Sequence, residues 1–77
     1  SGALVVRMMR GSEAYDAGVR PGDVIVGFNG TAVDDPSQLY RMVADARIGS
    51  TATIRVYRNG RTVDMKVPIV SDARARR

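Results

Sequence analysis

The sequence predicts one small α+β domain in which a mostly antiparallel β-sheet is capped by two helices. Three observations lead to this fold class. The length of 77 residues fits a single domain. Residues 51–70 alternate between apolar and polar on either side of Asn59-Gly60, as the strands of a β-hairpin do. Asp35-Pro36 opens a segment whose apolar residues recur at helical spacing.

The first predicted element is a strand over residues 3–9. Apolar and other residues alternate there, so that Leu4, Val6 and Met8 share one face of the strand. We expect that face to lie against the core.

A short helix follows the first strand. The hydroxyl of Ser12 can accept an orphan backbone N–H, which predicts a helix from that residue through about Ala17. Gly18 stands where a helix ends in a left-handed residue, and Val19 can make the apolar contact that follows. Pro21-Gly22 then turns the chain.

Residues 24–28 are apolar on both faces, which predicts a central strand buried on both sides. Asn29-Gly30 favours a tight turn, because both residues tolerate positive φ. Residues 31–33 are long enough for a short edge strand only.

The second helix has a clear start. Asp35 can cap it, Pro36 suits its first position, and Gln38 lies where a capping box places Glu or Gln. The helix is expected to end near Arg47, with one apolar stripe on the core formed by Leu39, Met42, Val43 and Ala46.

A closing hairpin completes the sheet, with strands at residues 51–58 and 61–70 around Asn59-Gly60. Pro68 lacks an N–H, so its end of the last strand is expected at a sheet edge or a bulge. The residues predicted to face inward are Ala52, Ile54, Val56, Val63, Met65, Val67 and Ile69.

The residue content argues against an enzyme. The chain has no Cys and no His, which excludes thiolate catalysis, a Ser-His-Asp triad and the usual zinc ligand sets. The adjacent carboxylates Asp34 and Asp35 fit a turn and a helix cap. We therefore expect no catalytic residue, no metal and no cofactor on this chain.

The net charge of +4 is uneven along the chain. Residues 71–77 carry three Arg and one Asp, and the remaining charges are mixed in sign. We expect a domain at residues 1–70 followed by a basic tail or linker at residues 71–77. With few aromatic residues, the domain is not expected to bind nucleic acid.

A groove between the second helix and a sheet edge could accept an extended peptide as an added strand. Pro36, Tyr40 and Val43 are spaced four and then three residues apart, so they share a helix face. We expect these three side chains to contact the peptide.

The run GSEAYDAGVRPGDVIVGFNG at residues 11–30 resembles the signature of bacterial PDZ domains, and the later helix and the Asn59-Gly60 hairpin fit the same pattern. The similarity is greatest to the PDZ domains of HtrA/Deg-type trypsin-like serine proteases. It covers residues 2–70. It implies a PDZ-like sheet or partly open barrel with the circularly permuted strand order of bacterial members.

Two features depart from that family. Glu13 stands where Pro is common, which is a mild change. The family's carboxylate-binding loop, written G-L-G-F or Y-L-G-I, and the strand after it precede the segment that begins here at Gly2, and the sequence lacks them. Either they lie in a longer protein, or this lineage lacks them. Without that strand, we expect lower stability than in a longer chain, or self-association.

The resemblance implies a binding module for hydrophobic C-terminal or extended segments of unfolded proteins, next to a protease domain that it regulates, in the periplasm or cell envelope. In this alignment Val43 would line the floor of the pocket for the last apolar side chain of the peptide. Pro36 replaces a His that selects Ser or Thr in many animal members, so that selectivity is not expected. The alternatives are PDZ domains of a secretion-system scaffold, a tail-specific protease or an intramembrane metalloprotease.

Overall fold

A computed structural model of the chain describes residues 2–8 and 11–70. These residues form five strands and two helices. In chain order they are β1 (Ala3–Leu4), α1 (Glu13–Ala17), β2 (Val24–Phe28), β3 (Thr31–Ala32), α2 (Pro36–Asp45), β4 (Thr51–Arg58) and β5 (Arg61–Pro68).

The strands form one open sheet in the order β1-β2-β4-β5. Each pairing between the described strands is antiparallel. One side of β2 pairs with β1 over its first residues and with β3 over its last, and its other side pairs with β4. The predicted α+β class is confirmed, and the sheet is not closed into a barrel.

The hairpin of β4 and β5 forms as predicted. All eight residues of β4 are in register with β5, from Thr51 opposite Pro68 to Arg58 opposite Arg61. The turn residues Asn59 and Gly60 both have positive φ, of 52° and 81°. Pro68 lies on the strand at the edge of the sheet, where its missing N–H costs no ladder bond.

The core lies between one face of this sheet and the two helices. Most of the predicted inward residues of the hairpin are buried in it, and Val63 packs against it while partly exposed. The buried apolar residues are Ala3, Val19, Phe28, Val33, Ala52, Ile54, Val56, Met65, Val67 and Ile69.

The inward direction predicted for Leu4 and Val6 is wrong, whereas Met8 packs against the core as predicted. Ala3 is buried and Val5 packs against the core, whereas Leu4 and Val6 are 59% and 73% exposed. The cause is register: Ala3 pairs with Ile25, whose side chain is inward, and Leu4 pairs with Val24. The strand was predicted over residues 3–9, but regular strand structure ends after two residues, and residue 9 lies outside the described part of the chain.

The second strand is central, as predicted, but it is not buried on both faces. Its first four residues are half-buried and only Phe28 is fully buried. The pairing with β4 slips between Ile25 and Gly27, which leaves Val26 as a bulge. The half-burial follows because both helices cover the same face of the sheet, so the other face of β2 remains in contact with solvent.

Both predicted helix caps are present. The Ser12 hydroxyl accepts from the Tyr15 backbone N–H at 3.2 Å, and Gly18 ends α1 with φ of 117°. The Asp35 carboxylate accepts from the Gln38 N–H at 2.9 Å. Among the described residues, no helix is long and apolar enough to cross a membrane.

Candidate functional site

An open groove of about 1020 Å³ lies between α2 and the free side of β1. The segment from Ala3 to Met8 lines one wall, and residues of α2 line the other. The buried core residues Phe28, Ile54 and Val67 also line the groove. The cleft is therefore apolar in its walls and floor, as sites for extended or small apolar ligands are.

Pro36, Tyr40 and Val43, which were predicted to contact a peptide, all line the α2 wall of this groove. Tyr40 is 72% exposed and Val43 is 38% exposed, while Leu39 and Met42 on the neighbouring face pack against the core. The helical spacing of the sequence thus places three side chains on one wall. Val43, which was also predicted in the core stripe, lies at the boundary between the two faces.

Hydrogen bonds at its first turn hold α2 beside β1. The Gln38 side chain accepts from the Asp34 N–H at 2.7 Å and donates to the Ala32 carbonyl at 3.1 Å. This differs from a regular capping box, where the side chain returns to the N-cap residue itself. The Gly2 N–H donates to the Asp34 carbonyl at 2.9 Å, so the chain before β1 is tied to the start of α2.

The other wall presents an open backbone edge. The Val5 N–H donates to the Asp23 carbonyl at 2.8 Å, and the Val5 carbonyl accepts from the Gly22 N–H at 2.7 Å. Since successive residues of a strand point their polar groups to opposite sides, those of Leu4 point away from β2, and the same alternation past Val5 predicts this direction for Val6. They face a side of β1 along which no described strand runs.

The turn before β2 fixes that edge. Pro21 and Gly22 are its central residues, Gly22 has φ of 98°, and the Asp23 N–H donates to the Arg20 carbonyl at 3.1 Å. This is a type II arrangement, which favours Pro and then Gly. Gly22 and Asp23 together face Val5, so the turn runs directly into a bulge that anchors the end of β1.

A buried ion pair, which sequence reasoning missed, supports the same turn. Asp23 is 2% exposed, and its two carboxylate oxygens accept from the Arg58 guanidinium at 2.8 and 2.6 Å. The carboxylate also accepts from the Arg20 N–H at 2.9 Å. Arg58 further donates to the Gly18 carbonyl at 2.7 Å, which links the end of α1 to β4.

The hydrogen bonds from Arg58, helped by the Arg20 N–H, hold the pKa of Asp23 below its ordinary value despite burial, which acts in the opposite direction. The pair joins residues 35 positions apart. Both types of residue are common on surfaces, so nothing in the sequence pattern singles out this contact. Its role is structural, since it lies at the turn and outside the groove lining.

A second, smaller depression lies at the β2–β3 turn and is lined in part by Asn29, Thr53, Arg55 and Asp64. Asn29 is committed to the turn, because its side chain accepts from the Thr53 N–H at 2.8 Å. Arg55 and Asp64 pair with each other at 2.8 Å. In the described ranges, no group of three or more His, Cys, Asp or Glu residues could hold a metal ion.

Comparison with known proteins agrees with this geometry. Residues 1–69 match the PDZ domain family. The chain is 43% identical to a probable periplasmic serine endoprotease, DegP-like, of Rhizobium meliloti strain 1021, over 96% of this chain and 15% of that protein. It is 35% identical to the serine protease Do-like HtrA of Lactobacillus helveticus, over 90% of this chain and 17% of that protein.

A solved structure of the HtrA-type protease AlgW with a decapeptide superposes with a TM-score of 0.81 at 30% identity, over 87% of this chain and 21% of that one. The chain thus spans less than a quarter of each of these three proteins. It belongs to the PDZ domain family, and the predicted resemblance to the PDZ domains of HtrA/Deg-type serine proteases is confirmed.

Proposed function

We propose that this PDZ domain binds hydrophobic C-terminal or extended segments of unfolded proteins in the groove between β1 and α2. The observation that carries the proposal is the pairing of an open strand edge with an apolar helix wall across one groove. An added strand gains main-chain hydrogen bonds from such an edge and side-chain specificity from such a wall.

Three side chains of α2 are assigned to the ligand. Tyr40 is 72% exposed and offers a large apolar surface with a polar end. Val43 is 38% exposed and suits a terminal aliphatic side chain, and Pro36 lies at the first turn. With Pro rather than His at that position, the groove has no means of selecting Ser or Thr there.

The longer protein is proposed to be a serine endopeptidase of the periplasm or cell envelope. This module is proposed to supply its protease domain with ligands or to regulate that domain. Two kinds of relative support this setting: those named periplasmic serine endoproteases and those named HtrA. They favour it over a secretion-system scaffold, a tail-specific protease or an intramembrane metalloprotease.

A further strand on the β1 edge would complete the groove in the way that the family resemblance implies. It would cover the core residues that line the groove and pair with the outward groups of β1, and the peptide would then add to that strand instead of to β1. A chain extended by such a strand is therefore expected to have a higher thermal midpoint than residues 1–77.

The groove assignment is tested by fluorescence anisotropy with a labelled decapeptide that ends in three apolar residues, on both the 77-residue and the longer chain. Tyr40→Ala combined with Val43→Asp is expected to weaken binding at least about tenfold, because an apolar contact is lost and a charge enters an apolar pocket. Tyr57→Ala is the matched control, since Tyr57 is an exposed tyrosine of β4 outside the groove lining. Unchanged affinity in the double variant would show that the peptide binds elsewhere.

A further inference from the structure

Arg58, the last residue of β4, holds two other parts of the chain at once. Its Nε and Nη2 atoms donate to the two carboxylate oxygens of Asp23 at 2.8 and 2.6 Å. The same Nη2 donates to the carbonyl of Gly18, the C-cap of α1, at 2.7 Å. A guanidinium is a rigid planar fork, so the directions of its hydrogen bonds are fixed. Arg58 therefore sets the turn before β2 and the end of α1 in one arrangement.

The two parts that this guanidinium holds continue directly into the lining of the groove. On one side, the Asp23 carbonyl accepts from the N–H of Val5, a lining residue, at 2.8 Å. On the other side, Gly18 precedes Val19, whose N–H donates to the Ala14 carbonyl at 3.0 Å. Val19 and Ala14 line the groove as well. The relative position of these two lining segments thus depends on a side chain outside the groove.

We propose that Arg58 is a positioning residue for ligand binding, which acts through Asp23 and Gly18 on the lining segments at Val5 and Val19. The inference rests on the proposed function and names a residue that the ligand does not contact. It applies whether the peptide or a further strand pairs with β1, because β1 places either of them relative to α2. Since a binding site tolerates displacements of only about 0.5 Å, small shifts of these segments are sufficient to weaken binding.

The burial of the ion pair explains why its loss should move the turn. Asp23 is 2% exposed, and the Arg58 side chain is 32% exposed. Without Arg58, the Arg20 N–H is the remaining donor to this carboxylate among the described residues. An uncompensated charge is costly to bury, so the turn is expected to shift until water reaches the carboxylate. The Asp23 carbonyl, which holds Val5, shifts with it.

Arg55 offers a matched control on the same strand. Its guanidinium donates to both carboxylate oxygens of Asp64, at 2.8 and 3.2 Å, so the pair is bidentate like that of Arg58. The side chains are 58% and 47% exposed, and the pair joins β4 to β5 within the hairpin. A substitution of Arg55 therefore removes the same charge from the same strand without releasing a segment of the groove lining.

Fluorescence anisotropy with the apolar decapeptide tests the proposal, in the 77-residue chain and in the chain extended by a further strand. Arg58→Met is expected to weaken binding at least about fivefold, the lower end of the usual coupling between separate sites. Arg55→Met should bind like the wild type. Arg58→Lys keeps a charged donor but not the fork, so it should recover part of the lost affinity. Urea denaturation of each variant confirms that it is folded under the binding conditions.

A double-variant cycle separates positioning from a general loss of stability. Asp23→Asn removes the charge and keeps the shape of the side chain. If Arg58 acts through Asp23, Arg58→Met combined with Asp23→Asn should bind about as weakly as Arg58→Met, and the two losses should not multiply. Amide NMR spectra of the free proteins should show shifted resonances at Val5 and Val19 in Arg58→Met and unshifted ones in Arg55→Met.

Unchanged affinity in folded Arg58→Met, equal losses in the Arg55 and Arg58 variants, or multiplying losses in the double variant would each overturn the positioning role. If Arg58→Met does not fold, Arg58→Lys and Arg55→Lys replace the pair of variants, and unchanged affinity in Arg58→Lys overturns the proposal. If the wild type does not bind the decapeptide at either length, the proposed function fails. In that case unshifted amides at Val5 and Val19 would overturn the positioning role separately.

Discussion

The strands β1 and β5 are the two outer strands of the same sheet, yet they are built in opposite ways. β5 is eight residues long and paired along its whole length, with polar residues and Pro68 exposed. β1 has two residues in regular pairing and exposes apolar side chains. The contrast predicts that the β5 edge resists pairing with a further strand and that the β1 edge can pair with one.

The two edges also differ in how they are attached. The ladder from β4 holds β5. β1 depends on its short pairing with β2 and on bonds at its two ends, from Gly2 to Asp34 and between Val5 and the residues Gly22 and Asp23. The position of the receptive edge is therefore set by a turn, and disturbing that turn should affect β1 far more than β5.

The largest effect is expected from Asp23→Ala, which leaves Arg58 without its partner and the Arg20 N–H without an acceptor. Removing one member of a fully buried ion pair costs about 3–5 kcal/mol of unfolding free energy, and the loss here should be smaller because the Arg58 side chain is 32% exposed. Urea denaturation measures this loss, and hydrogen exchange should show faster opening at Val5 than in β5. Asp64→Ala is the control, because its pair with Arg55 is exposed and should contribute little. Equal losses in the two variants would contradict the special role of the turn.

A smaller loss is expected from Gly2→Ala. Gly2 has φ of 94°, and an added Cβ would lie 2.7 Å from a Val24 methyl and 3.0 Å from the Ile25 carbonyl oxygen. Strain and contact together should cost about 2 kcal/mol. Gly60→Ala in the β4–β5 turn is the matched control. Gly60 has φ of 81° and open space around it, so the cost of this substitution comes from backbone conformation alone. If both substitutions lower the thermal midpoint by the same amount, the close packing around Gly2 does not contribute to stability.

The smallest effect concerns pH. Arg58 holds the pKa of Asp23 below its unfolded value of 3.8. The folded state therefore binds this proton less readily than the unfolded state, so the stabilisation is fully present above about pH 5 and is lost as the pH falls through the folded pKa. The unfolding free energy should fall more steeply below pH 4 in the wild type than in Asp23→Asn. Parallel curves would contradict this.

Much of the fold could be predicted because its signals are local. The hairpin follows from strict alternation around Asn59-Gly60, and both helices follow from Ser12 and Asp35 as caps. The residue pattern was insufficient at β1, where residues 3–6 are all apolar and the inward face depends on pairing with β2. Long-range contacts such as Asp23–Arg58 are likewise invisible in local spacing.

The difference between local and long-range signals also applies to the candidate site. Helical periodicity placed Pro36, Tyr40 and Val43 on one face, and the groove has all three on one wall. Their contact with a ligand remains a prediction. The opposite wall required tertiary information, because the free edge is defined by which strands pair and not by residue type.

The most direct test is amide hydrogen exchange by NMR with and without the apolar decapeptide. The account predicts that the outward amides of Leu4 and Val6 become protected and that resonances of Tyr40 and Val43 shift, while the amides on the free side of β5 keep their exchange rates. Protection on β5, or saturation with peptide without any change at Leu4 and Val6, would contradict the claim that the β1 edge and α2 form the binding groove.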